Sequence, residues 1–365
     1  MKFVKTEDME IGEVIGKPIY NNKGVLLYNS GLKIDEMMLT QFRAMELYGT
    51  YVLDNAEPVP TMTEEERDFE CFQSVYTYHV NDILTSVIEN KGVKGKEELV
   101  NLLCTRFGTV TKRRIFNQCI RSEKDFVCKH TLNVAILSAM IADKLKFEQK
   151  EKKYLIEAAL FHEIGKLFVS PQILNKKGSL TDDEMWTMNR CLLRGFELLE
   201  RNYQYPAGVR RYIIQLSQEL SMKLGKNVRR EQALLPGTKI LQVADIYDIL
   251  TAIRPYKEPV SAFSALQIIR KEPEKYDERT VDALEDCLNV LPVGSYVRLS
   301  NKEQAIVVSE NPGSLFRPVV LSLKSNQLYD LSQRAVREKV QILDTEFTTD
   351  NRLKIQPERV KELMH

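Results

Sequence analysis

Apolar residues recur at three- and four-residue spacing over two long stretches of this chain, and both stretches carry a histidine on the apolar face. In 155–166, LIEAALFHEIGK, Leu155, Ala158, Ala159 and His162 share one face, so the spacing predicts a helix that aims His162 inward. In 125–147, DFVCKHTLNVAILSAMIADKLKF, the stripe is His130, Val134, Leu137, Ile141 and Leu145, which puts a second histidine on a second core-facing helix. A third apolar run, KILQVADIYDIL, contains Asp245, whose ionised carboxylate is costly to bury unless it is paired or binds a metal. The bland partner for an inward histidine beside Glu163 is a carbonyl or hydroxyl of the packed core. The sharper one is a metal ion, which takes imidazole nitrogen and carboxylate oxygen together. The chain has 4 histidines, at 79, 130, 162 and 365, so two of them on adjacent apolar helices, with Asp245 on a third, point to one polar site.

Elsewhere the pattern divides the chain. Residues 1–58 read as a small β/α module: VIGKPIY, a turn at Asn21, Asn22, Lys23 and Gly24, then VLLY form a hairpin signal, followed by a short helix over 39–48 and the strand TYVL. Pro58 and Pro60 mark a boundary, and Thr61 or Thr63 before Glu64, Glu65 and Glu66 is the cap of the next helix. Residues 59–120 read as a helical connector that packs on the domain after it and offers a homodimer surface, interrupted at 90–96, NKGVKGK, by a solvated turn. Residues 121–288 form the helical domain, 289–345 a β-rich module (SYVRL, EQAIVVSE, RPVVLSL, QLYDL), and 346–365 a polar tail.

The bulk numbers narrow the class without naming it. With 365 residues, 43% hydrophobic, 28% charged and a net charge of +1, the chain is long enough for several domains and carries no field suited to DNA. No apolar run of membrane-spanning length is evident, and MKFVKTEDMEIG lacks an apolar signal core, so a cytoplasmic location is expected. The 6 cysteines show no C-x-x-C pairing, which argues for reduced thiols rather than a zinc knuckle.

The order His130, His162-Glu163, Asp245 resembles the H…HD…D pattern of the HD phosphohydrolase superfamily, with glutamate where that family has aspartate. His162-Glu163-Ile164-Gly165-Lys166, then Ile173 to Lys176, Gly178, Leu180-Thr181, Glu184 and Trp186, is similar without gaps to its HD-GYP branch. Val243-Ala244-Asp245, Tyr247-Asp248, Leu250-Thr251 and Arg254-Pro255-Tyr256 match the later signature. That branch comprises bacterial phosphodiesterases of cyclic di-GMP holding two or three metals, usually iron or manganese. The resemblance implies a mainly α fold, an HD-GYP-type helical bundle with a β-containing N-terminal module and a β-rich C-terminal tail.

The resemblance is incomplete where it bears on catalysis. Cys191 stands at the family's next metal histidine, Ser217 and Gln218 at its paired histidines with Glu219 retained, Gly225-Lys226-Asn227 at the Gly-Tyr-Pro, and Phe126 where some members supply a glutamate ligand. His130, His162, Glu163 and Asp245 suffice for one divalent metal, iron, manganese or zinc, or for none; Cys191 as a soft fifth ligand suits zinc better than manganese, and a packed core cysteine is the plainer assignment. Glutamate at 163 moves the carboxylate by roughly 1.5 Å, a displacement of the size that costs about a hundredfold in rate. Lys166, Arg254 and Lys257 are implied as contacts to the phosphates of cyclic di-GMP or a related nucleotide, Lys166 also as a catalytic group. The alternative for Arg254 is a tie to Asp248. Three classes stay open: a degenerate receptor or regulatory protein acting on a protein partner, a slow single-metal phosphodiesterase, and a pure scaffold.

Overall fold

The computed structural model describes residues 2–21, 23–45, 47, 49–53, 59, 62–118, 121, 125–176, 178–225, 233–253 and 259–345. Strands β1 (Lys2–Lys5), β2 (Val14–Ile15), β3 (Ile19–Tyr20), β4 (Leu26–Tyr28), helix α1 (Glu36–Ala44) and strand β5 (Gly49–Leu53) build the N-terminal module. β5 lies between β1 and β2, antiparallel to both, and β3 pairs with β4 as the hairpin signal predicts. The turn closes because Asn21 Oδ1 accepts from the backbone N–H of Lys23 and of Val25, both at 2.9 Å, while Gly24 takes a φ of +76° that a side chain resists. Ile15, Ile34, Phe42 and Val52 are fully or almost fully buried in a small core belonging to this module.

Helix α2 (Glu64–Ile88) opens with a capping box in which Thr63 and Glu66 each bond the other's backbone N–H. Thr61 lies outside the described residues. After α3 (Lys96–Phe107) the chain runs irregularly to residue 118, where the sequence suggests helix to 120. The solvated turn at 90–96 needs a second correction: Lys96 is buried, its Nζ 3.0 Å from Glu157 Oε2.

The centre of the molecule is α4 (Phe126–Lys144), packed against α2, α3, α5 (Gln149–Phe161), a 3-10 turn (Ile164–Phe168), α9 (Pro236–Thr251) and α11 (Glu278–Cys287), with α6 (Pro171–Leu174), α7 (Asp182–Asn202), α8 (Ala207–Lys223) and α10 (Ala262–Arg270) outside that shell. Among the described residues α4 alone is long and apolar enough to cross a membrane by composition, yet it is enclosed by protein, with 89% of its apolar window buried. Its apolar character is that of a helix with neighbours on every side. One continuous core joins α2, α3 and α4 to the helices after it and to the C-terminal sheet through Val297, Leu299, Val307 and Val320. That sheet, β6 (Tyr296–Leu299), β7 (Gln304–Ser309), β8 (Val319–Ser322) and β9 (Leu328–Asp330), then α12 (Arg334–Arg337) and β10 (Ile342–Thr345), is antiparallel in the order β10-β6-β7-β8-β9. The last strand adds to β6 as an edge that the sequence pattern does not reveal.

Candidate metal centre

Three elements converge on one point. α4 supplies His130 from its second turn, α9 supplies Asp245 and Asp248 one turn apart, and the end of α5 supplies the His162-Glu163 pair. The helix expected over 155–166 stops at Phe161: His162 is its C-terminal cap, and Glu163, at φ −121° and ψ 17°, turns the chain into the 3-10 segment. Two glycines hold that turn against α7. A Cβ on Gly165 would lie 2.3 Å from the Cys191 carbonyl oxygen, and one on Gly195 would lie 2.5 Å from Gly165 Cα, so only glycines let these backbones meet.

His130, His162, Glu163 and Asp245 each offer one ligand atom, and the four atoms lie within 4.8 Å of one another. His130 Nε2 stands 3.1 Å from Glu163 Oε2, 3.0 Å from Asp245 Oδ1 and 3.3 Å from His162 Nε2. The opposite ring nitrogens fix the tautomers: His130 Nδ1 faces Asp248 Oδ2 at 2.6 Å and His162 Nδ1 faces the Ala159 carbonyl at 2.6 Å, so in the neutral rings each Nδ1 donates and each Nε2 turns its lone pair to the centre. Among the described residues, and with both rings neutral, Glu163 Oε2 and Asp245 Oδ1 are buried with no hydrogen-bond donor. Four converging acceptors without a hydrogen between them are mutually repulsive, and one cation relieves all four.

Electrostatics say the same. Burial alone would push His130 down, but the carboxylates of Glu163, Asp245 and Asp248 outweigh it and hold the imidazole up at about 9. Glu163 is held low against its own burial by His130, Lys166 and His162, and Asp245 well below the usual carboxylate range by the two imidazoles. Without metal, one proton on His130 takes the place of the missing charge; it can serve one oxygen where a divalent cation serves both.

Behind the four candidate ligands lies a network of which the sequence resemblance names Asp248 alone. Asp248, fully buried, accepts at Oδ1 from Asn133 Nδ2 at 2.9 Å and Gln118 Nε2 at 3.0 Å, and at both oxygens from Arg121 Nη2 at 2.6 Å. Its carboxyl is held far below the ordinary range, with Arg121 and His130 overcoming desolvation. Asp248 itself is readable as a second aspartate one turn after Asp245 in an apolar run, and Asn133 as a polar residue one turn after His130. Arg121 and Gln118 lie in irregular chain and leave no periodic trace.

The other expected site residues divide. Lys166 reaches the centre, its Nζ paired with Glu163 Oε1 and 6.0 Å from the Phe126 ring, which lies parallel to His130. Cys191 stands apart from the four ligands, its Sγ 3.6 Å from the Phe168 carbonyl. Glu219 accepts from Gln242 Nε2 at 3.0 Å on each oxygen. Arg254 and Lys257 lie outside the described residues, and the partners shown for Asp248 are Arg121, Asn133, Gln118 and His130. A separate cavity of 130 Å³ between the modules, bounded by Lys17, Tyr51, Gln118, Thr251, Ser261 and Tyr296 among others, includes none of the four ligands.

The helical bundle gathers two imidazoles and two carboxylates from α4, the end of α5 and α9 into one candidate metal centre. Residues 114–280 match the family described as HD domain. A Pseudomonas aeruginosa protein named cyclic di-GMP phosphodiesterase PA4108 is 27% identical over 202 residues, 55% of this chain and 49% of that protein. Cyclic di-GMP phosphodiesterase response regulator RpfG of Xanthomonas campestris is 29% identical over 157 residues, 40% of each chain. The Vibrio cholerae protein named 3'3'-cGAMP-specific phosphodiesterase 3 is 28% identical over 178 residues, 48% of this chain and 38% of its own. The chain thus spans about half or less of the length of these relatives.

Proposed function

We propose that this protein is a cyclic-dinucleotide receptor of the HD-GYP kind, holding one divalent metal and regulating a protein partner, with hydrolysis absent or slow. The observation that carries this reading is the ligand count. The four-atom cluster suits one ion, and the only other histidine among the described residues is His79, exposed on α2 against Tyr76, while Ser217 and Gln218 offer no imidazole for a second metal.

His130, His162, Glu163 and Asp245 would hold the ion, whose chemistry is to polarise a phosphoryl oxygen and acidify bound water. Asp248 keeps the His130 Nδ1 proton in place, and the Ala159 carbonyl does so for His162. Lys166, paired with Glu163, orients that carboxylate and stands nearest to an arriving phosphate; Arg254 and Lys257 complete the anion contacts in this reading. The names of the relatives support a cyclic dinucleotide as the ligand class. Exposed Ile11, Val25 and Met37 on the N-terminal module are where the partner is sought.

The intact four-ligand cluster favours a second reading, a slow single-metal phosphodiesterase. Calorimetric titration of cyclic di-GMP with and without manganese, together with product analysis, separates the two. Saturable micromolar binding without turnover supports the receptor, turnover at roughly one per second or faster the enzyme, and no binding in either condition removes both.

A further inference from the structure

We propose that Arg121 is a positioning residue for the metal centre: clamped on Asp248, it fixes the side chain that orients His130, and so sets how tightly the four ligands hold their ion. The proposal rests on the metal-holding reading above.

Arg121 is fully buried, and so is its partner. Among the described residues its side-chain bonds all leave from one nitrogen. Nη2 donates to both Asp248 oxygens at 2.6 Å and to Gln118 Oε1 at 3.0 Å, while Nε and Nη1 are buried with no hydrogen-bond partner there. A guanidinium buried with two donors unmet costs more than an apolar side chain of the same shape, so folding stability is a poor account of this arginine. Its geometry offers a better one. Asp248 accepts from Arg121, Asn133 and Gln118 and faces His130 Nδ1 at 2.6 Å, and Nε2 of the same ring is the ligand atom.

The clamp has a backbone and an aromatic side as well. Arg121 N–H donates to the Ile253 carbonyl at 3.3 Å, just beyond α9, and the guanidinium carbon lies 5.4 Å from the centre of the Phe126 ring. That ring lies parallel to His130, with centroids 6.3 Å apart. Gln118 braces the arrangement: its Nε2 also donates to Thr251 Oγ1 at 2.9 Å, and its Oε1 accepts from Asn133 Nδ2 at 3.0 Å. An irregular segment is thereby tied to α4 and α9, the two helices that carry His130 and Asp245. Partners of this kind behind a ligating histidine change metal affinity by about ten- to a hundredfold.

The test is cobalt(II) binding to the full chain, read as affinity by chelator competition and as the visible absorption band, which reports coordination geometry. Arg121→Met should weaken binding by about ten- to a hundredfold and alter the band. Asp248→Asn should do the same, and Arg121→Met/Asp248→Asn should be no weaker than Asp248→Asn, because the arginine acts through the aspartate. Gln118→Ala, at the edge of the network, should give a smaller loss in the same direction and keeps the test alive if Arg121→Met does not fold. Folded variants that bind cobalt like the wild type, or losses that simply add in the double variant, overturn the proposal. If the wild type itself takes up no cobalt, the metal-holding reading falls first and this one with it.

Discussion

His130 and Asp248 share a 2.6 Å contact between Nδ1 and Oδ2 in which both side chains are fully buried. A histidine whose Nδ1 proton is claimed by a carboxylate presents Nε2 as a stronger base, the usual condition of a ligating imidazole. That contact and the donor-free oxygens of Glu163 and Asp245 set the direction of every metal-linked effect expected of this protein.

Protein purified without chelator should carry about one divalent ion per chain, by elemental analysis. Glu163→Gln/Asp245→Asn should abolish retention while leaving the circular dichroism spectrum in place. Two or more ions in the wild type would contradict the single-site reading.

The pH dependence has opposite signs with and without metal. In the metal-free protein His130 is raised from its ordinary 6.5 to about 9, so its contribution, of the order of 3 kcal/mol, is fully present below pH 6.5 and fades as pH rises to 9. Metal must displace that proton, so metal affinity should rise with pH over the same interval and level off above it. Denaturant melts and metal titrations at pH 6, 7.5 and 9 check both slopes; a metal-free protein that is no less stable at pH 9 than at pH 6 contradicts the assignment.

Turnover of cyclic di-GMP with added manganese should stay below roughly one per second. Arg254→Ala should weaken nucleotide binding by about ten- to a hundredfold, the loss of one charge-assisted hydrogen bond, with the fold intact. Calorimetry reads the second, and an unchanged affinity would remove Arg254 from the binding site.

Gly165→Ala places a Cβ 2.3 Å from the Cys191 carbonyl and 2.4 Å from Leu192 Cα, neither of which can swing aside. The 3-10 turn and α7 must separate, at a cost of about 1–3 kcal/mol. Metal affinity should fall as well, since Glu163 opens that turn. A stability change under half a kcal/mol in urea titration would show that the two backbones yield freely.

Glu157→Ala leaves Lys96 buried without its carboxylate, and Tyr203, whose hydroxyl donates to Glu157 Oε1 at 2.8 Å, without an acceptor. Removing one partner of a buried pair costs about 3–5 kcal/mol. Glu157→Ala/Lys96→Met should recover part of that loss in thermal melts.

How much of the fold and site is legible in the chain depends on the range over which each residue's partner lies. His130, His162 and Asp245 stand out because each interrupts an apolar run at helical spacing, and that period is written within a few residues; Glu163 is legible only as the neighbour of His162, since it lies beyond the helix end. The capping box at Thr63 and Glu66 and the Asn21 hairpin turn are local in the same sense, and both form as read. The end of the helix at Phe161 is not legible, because it depends on Gly165 meeting α7 through Gly195, 30 positions away. Lys96 reads as a solvated lysine in a polar turn until Glu157 is brought to it. Arg121 and Gln118 are the extreme case: they sit in irregular chain, obey no period, and meet Asp248 more than a hundred residues further on. Sequence alone determined which side chains must be buried along the helices, since hydrophobic spacing decides that locally. Tertiary structure alone decided which buried charges neutralise each other, because an ion pair needs only a distance of about 3 Å in space and leaves no spacing in the chain.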